Sequence, residues 1–328
     1  MKKIIIFIAV FVPILAMGQK LTAHRNIVSE GYNFWLYTPA GYDSIQTSKP
    51  LFIFLHGSSL CGNDLSRVRR YGCIDAVENG HAIDALIVAP QNPGGSWNPK
   101  KINNVLNWVQ EKYAFDTNRI YVIGMSLGGY GTIDYVGTYP ERIAAAMALC
   151  GGGTLKSYCG LTQVPTWILH GTADRAVGYS ESEKVVNAMI ECGDTSLLRF
   201  TKLKGMNHSQ LARFFYIDET YQWFLSHSRS DSIRSINKDI EITTTALNSA
   251  YQNSNRAQTK ITIADSQKEN VETTTEKNTS TAKFHTIKKG DTLSAIARKY
   301  HTSVPKLCKL NKIRETTILS LGRKLRVR

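Results

Sequence analysis

Short apolar runs alternate with amphipathic stretches along the chain from Tyr32 to about Ser228. The inner runs are continuously apolar, which is typical of strands that helices cover on both faces of a parallel sheet. The pattern therefore predicts an α/β doubly wound domain with a mostly parallel sheet. The predicted strands are Asn33–Tyr37, Leu51–Leu55, Ala85–Val88, Ile120–Ile123, Ile143–Leu149, Thr166–Leu169 and Leu198–Leu203. The predicted helices lie near Ile102–Tyr113, Leu127–Thr138, Ser182–Cys192 and Asp218–Leu225.

The apolar pattern stops at Arg229 and resumes at Phe284. Residues 229–282 contain 26 Ser, Thr, Asn or Gln among 54 residues, no Pro, no Gly and a single aromatic, Tyr251. A segment of this composition lacks the apolar residues for a core, so we expect a solvated, disordered linker. The predicted organisation is a large domain over residues 19–228, the linker over residues 229–282 and a small domain over residues 283–328.

The first residues have the pattern of an export signal. Lys2 and Lys3 precede an uncharged apolar run from Ile4 to Leu15, and small residues precede a predicted cut between Gly18 and Gln19. The run is shorter than the ~20 apolar residues that span a bilayer. We therefore expect a signal peptide over residues 1–18, export to the periplasm or the cell exterior, and no transmembrane span in the mature protein.

Composition and charge exclude several classes of protein. Hydrophobic residues make up 42% of the chain, which is enough for a core and excludes a wholly disordered or collagen-like protein. The net charge is +14, but residues 283–328 alone carry +11 of it. The small domain therefore holds the basic charge, which suits an anionic cell wall. Exported chains seldom meet nucleic acid, so we expect no nucleic-acid partner.

Export would place the six cysteines in an oxidising compartment. Four of them are close enough in sequence to staple loops in pairs, namely Cys61 with Cys73 and Cys150 with Cys159. Each disulfide could raise the free energy of unfolding by up to about 3 kcal/mol. Cys192 and Cys308 have the character of small buried hydrophobes instead. Spacing does not determine connectivity, so buried free thiols are the alternative for all six.

Residues 124–128 read Gly-Met-Ser-Leu-Gly, a G-x-S-x-G pattern. The predicted strand Ile120–Ile123 leads directly into it, and Leu127 begins a predicted helix. Glycines two residues on either side of Ser126 permit a turn too tight for Cβ atoms and leave the hydroxyl exposed. Ser126 is therefore the candidate nucleophile, and a glycine-rich turn without chemistry is the alternative.

A serine nucleophile needs a base, and the base needs an acid to orient it. In a strand–turn–helix fold of this kind the acid and then the histidine follow the serine along the chain. Asp174 lies in the loop after the predicted strand Thr166–Leu169, 48 residues past Ser126. His208 lies in the loop after Leu198–Leu203. We predict Asp174 as the acid and His208 as the base.

The tetrahedral oxyanion of such a reaction needs hydrogen-bond donors. The strand Leu51–Leu55 runs into His56 and Ser58, so the Ser58 N–H can join the N–H of Leu127, the residue after the nucleophile. His56 is expected to be structural. The segments between strands are too short for a lid, and Trp97 could rim the open site as an apolar or sugar-stacking platform. Ordinary loop packing is the alternative for Trp97.

These motifs, in this order, resemble a compact branch of the α/β-hydrolases. That branch contains secreted carboxylesterases, dienelactone-hydrolase-like proteins, feruloyl and acetylxylan esterases and predicted prolyl-oligopeptidase-like peptidases. The resemblance rests on residues 55–57, 89–91, 124–129 and 170–174 and on His208. It implies a Ser–Asp–His triad that works without a cofactor or metal. True dienelactone hydrolases use a cysteine nucleophile, so Ser126 argues against that activity.

Residues 284–328 resemble a LysM module, most closely in Phe284–Ala297 and again around residues 299–300, 310–313 and 322–325. Thr292 can cap a helix with Leu293 and Ile296 on one face, and short strands begin and end the unit, which predicts a β-α-α-β order. The resemblance implies binding of N-acetylglucosamine glycans of peptidoglycan or chitin. The implied contacts lie in two loops, at Gly290, Asp291, Thr292, Asn311 and Ile313.

The sequence as a whole therefore predicts an exported serine ester hydrolase that its LysM module tethers to peptidoglycan. The expected substrates are short acyl, acetyl or feruloyl esters on glycans. Two alternatives stay open: a serine peptidase with the same catalytic residues, and a wall-adhesion protein with an inactive hydrolase domain.

Overall fold

The computed structural model describes residues 18–43, 48–251 and 261–266, and residues 284–327 apart from positions 289, 301, 312, 314–316, 318, 320 and 321. The chain divides into two compact units. The strands of the first unit are β1 (Gln19–His24), β2 (Phe34–Thr38), β3 (Leu51–Leu55), β4 (Leu86–Pro90), β5 (Ile120–Met125), β6 (Ala145–Leu149), β7 (Thr166–Gly171), β8 (Leu198–Leu203) and β9 (Ile261–Asp265). Its α-helices are α1 (Cys73–Glu78), α2 (Pro99–Lys112), α3 (Leu127–Thr138), α4 (Ser180–Glu191), α5 (Asp218–Leu225) and α6 (Thr244–Ser249). Among the described residues of both units, no helix is long and apolar enough to cross a bilayer.

The strands of the first unit form one sheet in the order β8-β7-β6-β5-β3-β4-β2-β1-β9. All neighbours from β8 to β4 pair in parallel. By contrast, β2 pairs antiparallel with both β4 and β1. The expected doubly wound, mostly parallel sheet is confirmed.

Each face of the sheet has its own apolar core. In β3, Phe52 and Phe54 belong to the core under α1 and α5, whereas Ile53 and Leu55 belong to the core under α2, α3 and α4. Alternate residues of a strand point to opposite faces, so a strand covered on both sides must be apolar throughout. Burial of each such side chain contributes about 1.5–3 kcal/mol.

The parallel strands bring the predicted site residues to one edge of the sheet. Ser126 follows β5, Asp174 follows β7 by three residues, and His208 begins the 3-10 helix that follows β8. The carboxyl ends of parallel strands share an edge, which is where open α/β sheets bind ligands.

The polar segment after Ser228 is not a uniform tether, which corrects the prediction from composition. Ile236 and Leu247 are buried in the core that α5 covers. At the sheet edge, β9 adds in parallel to β1 with Ile261 opposite Gln19. A few apolar residues suffice here because they complete an existing core instead of building one. Residues 252–260 and 267–283 of the predicted linker, and residues 1–17 of the predicted signal peptide, lie outside the described residues.

The disulfide differs from both predicted pairs. Cys159 bonds to Cys192 across 33 residues, joining the loop after β6 to the end of α4. Cys61, Cys73 and Cys150 are free thiols. Both predicted pairs are therefore wrong, as is the expectation that Cys192 is a buried free residue. Cys73 and Cys150 are buried in the apolar core, whereas Cys61 lies in the partly exposed turn that ends the 3-10 helix Ser58–Leu60. Cys308 is a buried free thiol, as expected.

The second unit is small and has its own core. Its elements are β10 (Phe284–Thr286), α7 (Leu293–Lys299), α8 (Val304–Asn311) and β11 (Lys324–Arg326), and β10 pairs antiparallel with β11. The predicted β-α-α-β order is confirmed. Thr292 caps α7 by accepting a hydrogen bond from the Ala295 N–H at 3.2 Å. The buried residues of this core are Ile287, Leu293, Ile296, Ala297, Leu307, Cys308, Leu325 and Val327.

Candidate active site

Ser126 lies at a sharp turn between β5 and α3. Its backbone is in the left-handed region, with φ 59° and ψ −121°, and it is the N-cap of α3. A Cβ on Gly124 would lie 2.1 Å from the Gly128 carbonyl oxygen, and a Cβ on Gly128 would lie 1.8 Å from that of Leu55. Both glycines are therefore required by close backbone approach, as the G-x-S-x-G pattern predicts. The strain at Ser126 marks the turn as a candidate functional site.

Asp174 lies in the loop after β7 with its side chain fully buried. One carboxylate oxygen, Oδ1, accepts hydrogen bonds from the Ala176 and Val177 N–H groups, each at 2.9 Å. The other, Oδ2, lies 2.7 Å from His208 Nδ1. Burial by itself raises the pKa of Asp174, but the Val177 N–H, the His208 ring and the Ala176 N–H outweigh burial and hold that pKa below its ordinary value. Asp174 is thus an ionised acceptor held in one orientation.

His208 begins a 3-10 helix, His208–Tyr216, that a reciprocal capping box holds in place. Asn207 Oδ1 accepts from the Gln210 N–H at 3.2 Å, and Gln210 Oε1 accepts from the Asn207 N–H at 2.8 Å. Because Nδ1 of His208 faces Asp174, the carboxylate favours the tautomer with its proton on Nδ1. Nε2 is then the basic nitrogen.

Cys150 connects this pair to the serine turn. Its Sγ, a carboxylate oxygen of Asp174 and a ring nitrogen of His208 lie within 4.8 Å of one another. Burial raises the pKa of the Cys150 thiol. The Ser126 N–H donates to the carbonyl of the preceding residue, Leu149, at 2.9 Å. The thiol is therefore neutral. Because Cys150 directly follows Leu149, the serine turn and the Asp174–His208 pair both approach this residue.

The two predicted oxyanion donors, Ser58 and Leu127, each occupy the first position of a helix. Ser58 starts the 3-10 helix Ser58–Leu60, and Leu127 starts α3. The N–H of a first helical residue has no partner within its own helix, so both N–H groups stay candidates for the predicted oxyanion donors. A Cβ on Gly57 would lie 3.3 Å from Ser126 Cβ, so the Ser58 loop closely approaches the serine turn.

His56 and Trp97 are interior residues. The Nδ1 of His56 donates to the Gly57 carbonyl at 2.8 Å, and its Nε2 accepts from the Asn92 N–H at 3.0 Å. Burial lowers the pKa of His56 to about 4, so it stays neutral, in line with its predicted structural role. Trp97 is only 3% exposed and its Nε1 donates to the His56 carbonyl at 3.2 Å. The predicted role of Trp97 as an exposed stacking platform is wrong because the ring fills space against Gly131.

Two residues to which the sequence assigned no role at the site contact its members. The Nε2 of His170 lies 3.4 Å from Asp174 Oδ2 and 3.0 Å from the Val177 carbonyl, and its Nδ1 lies 2.7 Å from Ser182 Oγ. Its position four residues before the acid was a usable signal. Tyr71 accepts from the Gly57 N–H at 2.7 Å and so supports the Ser58 loop. Nothing in the local sequence marks Tyr71.

The predicted glycan contacts of the second unit already make bonds within that unit. Asp291 Oδ2 lies 2.7 Å from His285 Nε2 and accepts from the Lys288 N–H at 2.8 Å. Asn311 accepts from the Arg326 N–H at 2.7 Å and donates to the Arg326 carbonyl at 2.8 Å. Thr292 caps α7, Ile313 packs against the core, and Gly290 turns the loop with φ 90°. These contacts shape the two loops at which the glycan is expected to bind.

Two family models match parts of the chain. Residues 98–225 match the family described as phospholipase/carboxylesterase, and residues 285–328 match the LysM domain. The first match contains Ser126, Asp174 and His208.

Curated and solved relatives agree with these matches. Acetylxylan esterase A of Aspergillus awamori is 32% identical over 89 residues, which cover 27% of this chain and 29% of that protein. The bifunctional acetylxylan esterase/xylanase XynS20E of Neocallimastix patriciarum is 22% identical over 161 residues, which cover 47% of this chain and 23% of that protein. The crystal structure of a thermostable esterase shares 25% identity at a TM-score of 0.52 over 64% of each chain. The chain thus spans less than a third of these two curated relatives.

Proposed function

Because the chain joins an α/β-hydrolase domain to a C-terminal LysM domain, we propose that it is a serine hydrolase that cleaves carboxylic esters carried by glycans. In this proposal the LysM domain binds an N-acetylglucosamine polymer such as peptidoglycan, and the enzyme is exported and acts at the cell wall. The observation that carries the catalytic part is the Asp174–His208 hydrogen bond of 2.7 Å beside the strained turn at Ser126.

The proposed reaction has two acyl-transfer steps. Ser126 Oγ attacks the ester carbonyl while His208 Nε2 takes its proton, and the carbonyl electrons move to the oxygen that the Ser58 and Leu127 N–H groups bind. The C–O bond to the glycan then breaks, and His208 returns the proton to the leaving alcohol. Water, activated by His208, hydrolyses the acyl-enzyme in the same way and regenerates Ser126. Asp174 orients His208 and stabilises the imidazolium form.

Short acyl groups on glycans are the proposed substrate class. The names of the two fungal relatives refer to acetylxylan, a polysaccharide that carries acetyl esters. The connecting segments around Ser126 are short, so a bulky carrier can approach the carboxyl edge of the sheet. Acetyl groups are the first choice on these grounds, and feruloyl esters are the second.

Substrate comparison tests the proposal directly. The full chain should hydrolyse p-nitrophenyl acetate and acetylated xylo-oligosaccharides, and the Ser126→Ala protein should hydrolyse neither. Faster turnover of aminoacyl-anilides would identify a peptidase instead. A purified, folded protein that turns over none of these substrates would favour a wall-adhesion protein.

The cell-wall part of the proposal has a separate test. The full chain should sediment with purified peptidoglycan, and a chain that lacks residues 284–328 should stay in the supernatant. Fractionation of the producing cells should find the protein outside the cytoplasm with Gln19 as its first residue. Retention in the cytoplasm with Met1 intact would refute the proposed export.

A further inference from the structure

A small polar cavity lies beside the loop that carries Ser58. Its volume is about 150 Å³. A volume of this size holds about five waters, which is comparable with one monosaccharide ring. The buried residues at its floor are Tyr32 and Gln91, and its partly or fully exposed rim includes Asn26, Asn33, Asn63 and Lys101.

The cavity opens on the same edge of the sheet as Ser126. Gln91 directly follows β4, and its N–H donates at 2.7 Å to the carbonyl of Asn33, which precedes the antiparallel β2. In the sheet, β3 alone separates β4 from β5, the strand that ends at Ser126. Two strand spacings correspond to roughly 10 Å. A glycan with one sugar ester at Ser126 can therefore place a neighbouring sugar at this cavity.

Gln91 is a buried residue at the floor of this cavity, and hydrogen bonds hold its side-chain amide in place. The residue is 4% exposed, and its Nε2 donates to the Leu60 carbonyl at 2.7 Å and to the Asn92 carbonyl at 3.3 Å. These two bonds identify the amide orientation. Its Oε1 is buried without a partner among the described residues. Because this oxygen is not exposed, the amide fixes the floor of the cavity, and the polar groups that face a ligand are those of the rim.

The lining matches a neutral polyhydroxy compound better than an acyl chain or a cation. Amide side chains both donate and accept, as sugar hydroxyls do, and none of the described residues that line the cavity is acidic. Among the described residues that line the cavity, Lys101 alone is positively charged, and its Nζ lies 5.7 Å from the centre of the Tyr32 ring. The Tyr32 hydroxyl accepts from the Asn98 N–H at 2.9 Å, which fixes the ring in the floor.

We propose that this cavity is a subsite for one pyranose unit of the glycan that carries the ester. Asn63 and Lys101 donate to ring or hydroxyl oxygens, and the Gln91 amide holds the floor of the cavity in place through its bonds to Leu60 and Asn92. This inference rests on the proposed esterase function for its link to turnover. It adds that the enzyme recognises the carrier glycan in its catalytic unit as well as through its LysM domain.

Kinetics on two substrates test the subsite. Asn63→Ala and Lys101→Met change exposed or half-exposed rim residues, so both variants should fold. Each should lower kcat/KM for acetylated xylo-oligosaccharides by about five- to tenfold through a higher KM, since one lost hydrogen bond is worth about 1–1.5 kcal/mol. Their kcat/KM for p-nitrophenyl acetate should be unchanged. The matched control is Lys100→Met, because Lys100 pairs with Glu30 at 2.7 Å and does not line this cavity.

A binding experiment separates failure of the subsite from failure of the esterase proposal. Unesterified xylo-oligosaccharides are titrated by NMR into full-chain Ser126→Ala protein, with and without Asn63→Ala; N-acetylglucosamine oligomers form a second arm. Both proteins carry the same LysM domain, so a difference between them reports on the cavity. Weaker binding in the Asn63→Ala protein in either arm supports the subsite even if the wild type hydrolyses no ester. Equal binding in both arms, or equal losses on both ester substrates, overturns it.

Discussion

Asp174 is fully buried, whereas its partner His208 is 24% exposed, and the two meet at 2.7 Å between Oδ2 and Nδ1. Backbone N–H groups hold the other carboxylate oxygen, so this hydrogen-bonded pair has one fixed, buried member and one partly exposed member. This asymmetry suits a base that must exchange protons with substrate while its orientation stays constant.

We expect Ser126→Ala to lower ester turnover by at least about three orders of magnitude, since the attacking oxygen is lost. The variant should keep the melting temperature of the wild type, because alanine at this turn adopts the same strained backbone. Thermal unfolding and p-nitrophenyl acetate kinetics check both points. Ser209→Ala, an exposed serine close to His208, is the matched control and should be fully active.

His208→Ala should remove the base and lower kcat by more than about tenfold at every pH. Steady-state kinetics from pH 5 to pH 9 provide the measurement. His81→Gln changes a histidine that lines a different cavity, next to α5 and α6, and should leave the profile intact. A His208→Ala enzyme that retains more than a tenth of wild-type kcat would show that another group is the base.

Asp174→Asn should lower kcat by about three to four orders of magnitude, because the amide favours the wrong tautomer of His208. It should also change the pH dependence of stability. The pKa of Asp174 is lowered on folding, so its contribution is fully present above its unfolded pKa near 4 and is lost as pH falls through the folded pKa. Urea unfolding at pH 7 and at pH 3 should therefore show a smaller difference between wild type and variant at pH 3. An unchanged difference would contradict the lowered pKa.

Cys159→Ser should destabilise the first unit by roughly 3–4 kcal/mol, because the disulfide closes a loop of 33 residues. For a unit of this size that energy corresponds to a drop in melting temperature of about 6–15 °C. Cys308→Ser, in the second unit, is the control and should leave the melting temperature of the first unit unchanged. Mass spectrometry of non-reduced peptides should find Cys159 joined to Cys192; a Cys61–Cys73 peptide would contradict the structure.

A chain that ends at Ser228 should melt at a lower temperature than one that ends at Ser266. The shorter chain lacks Ile236 and Leu247, which are 7% and 4% exposed in the core that α5 covers. Each buried side chain contributes about 1.5–3 kcal/mol, so the loss should be several kcal/mol. Calorimetry of the two chains decides the point. Equal melting temperatures would show that the segment from residue 229 onward does not stabilise the first unit.

The sequence predicted the architecture and the chemistry-bearing positions because both depend on local patterns. Continuous apolar runs identify strands such as β3 and β5. The glycines around Ser126 indicate that the backbone at this turn lies too close to neighbouring segments for a Cβ atom. Asp174 and His208 follow from chain order and strand ends. The hydrogen bond between them forms only in the folded protein, but the position of both residues after parallel strands made it expected.

What the sequence did not reveal depends on contacts between distant segments. The Cys159–Cys192 bond joins a loop to a helix end that only the folded sheet brings together. Trp97 is polar-flanked in sequence yet buried, because Gly131 of α3 leaves room for its ring. Ile236 and Leu247 sit in a segment whose average composition is polar, and their burial depends on a core built by residues far earlier in the chain.

The parallel addition of β9 to β1 also bears on solubility. Without it, the row of backbone N–H and C=O groups along β1 would form the open edge of the sheet, where a second chain could add a strand. With it, the outermost strand is five residues long and carries Asp265, which pairs with Arg25 at 2.5 Å. Short, charged edge strands resist edge-to-edge association. By covering β1, β9 therefore makes this edge of the sheet less open to pairing with a second chain.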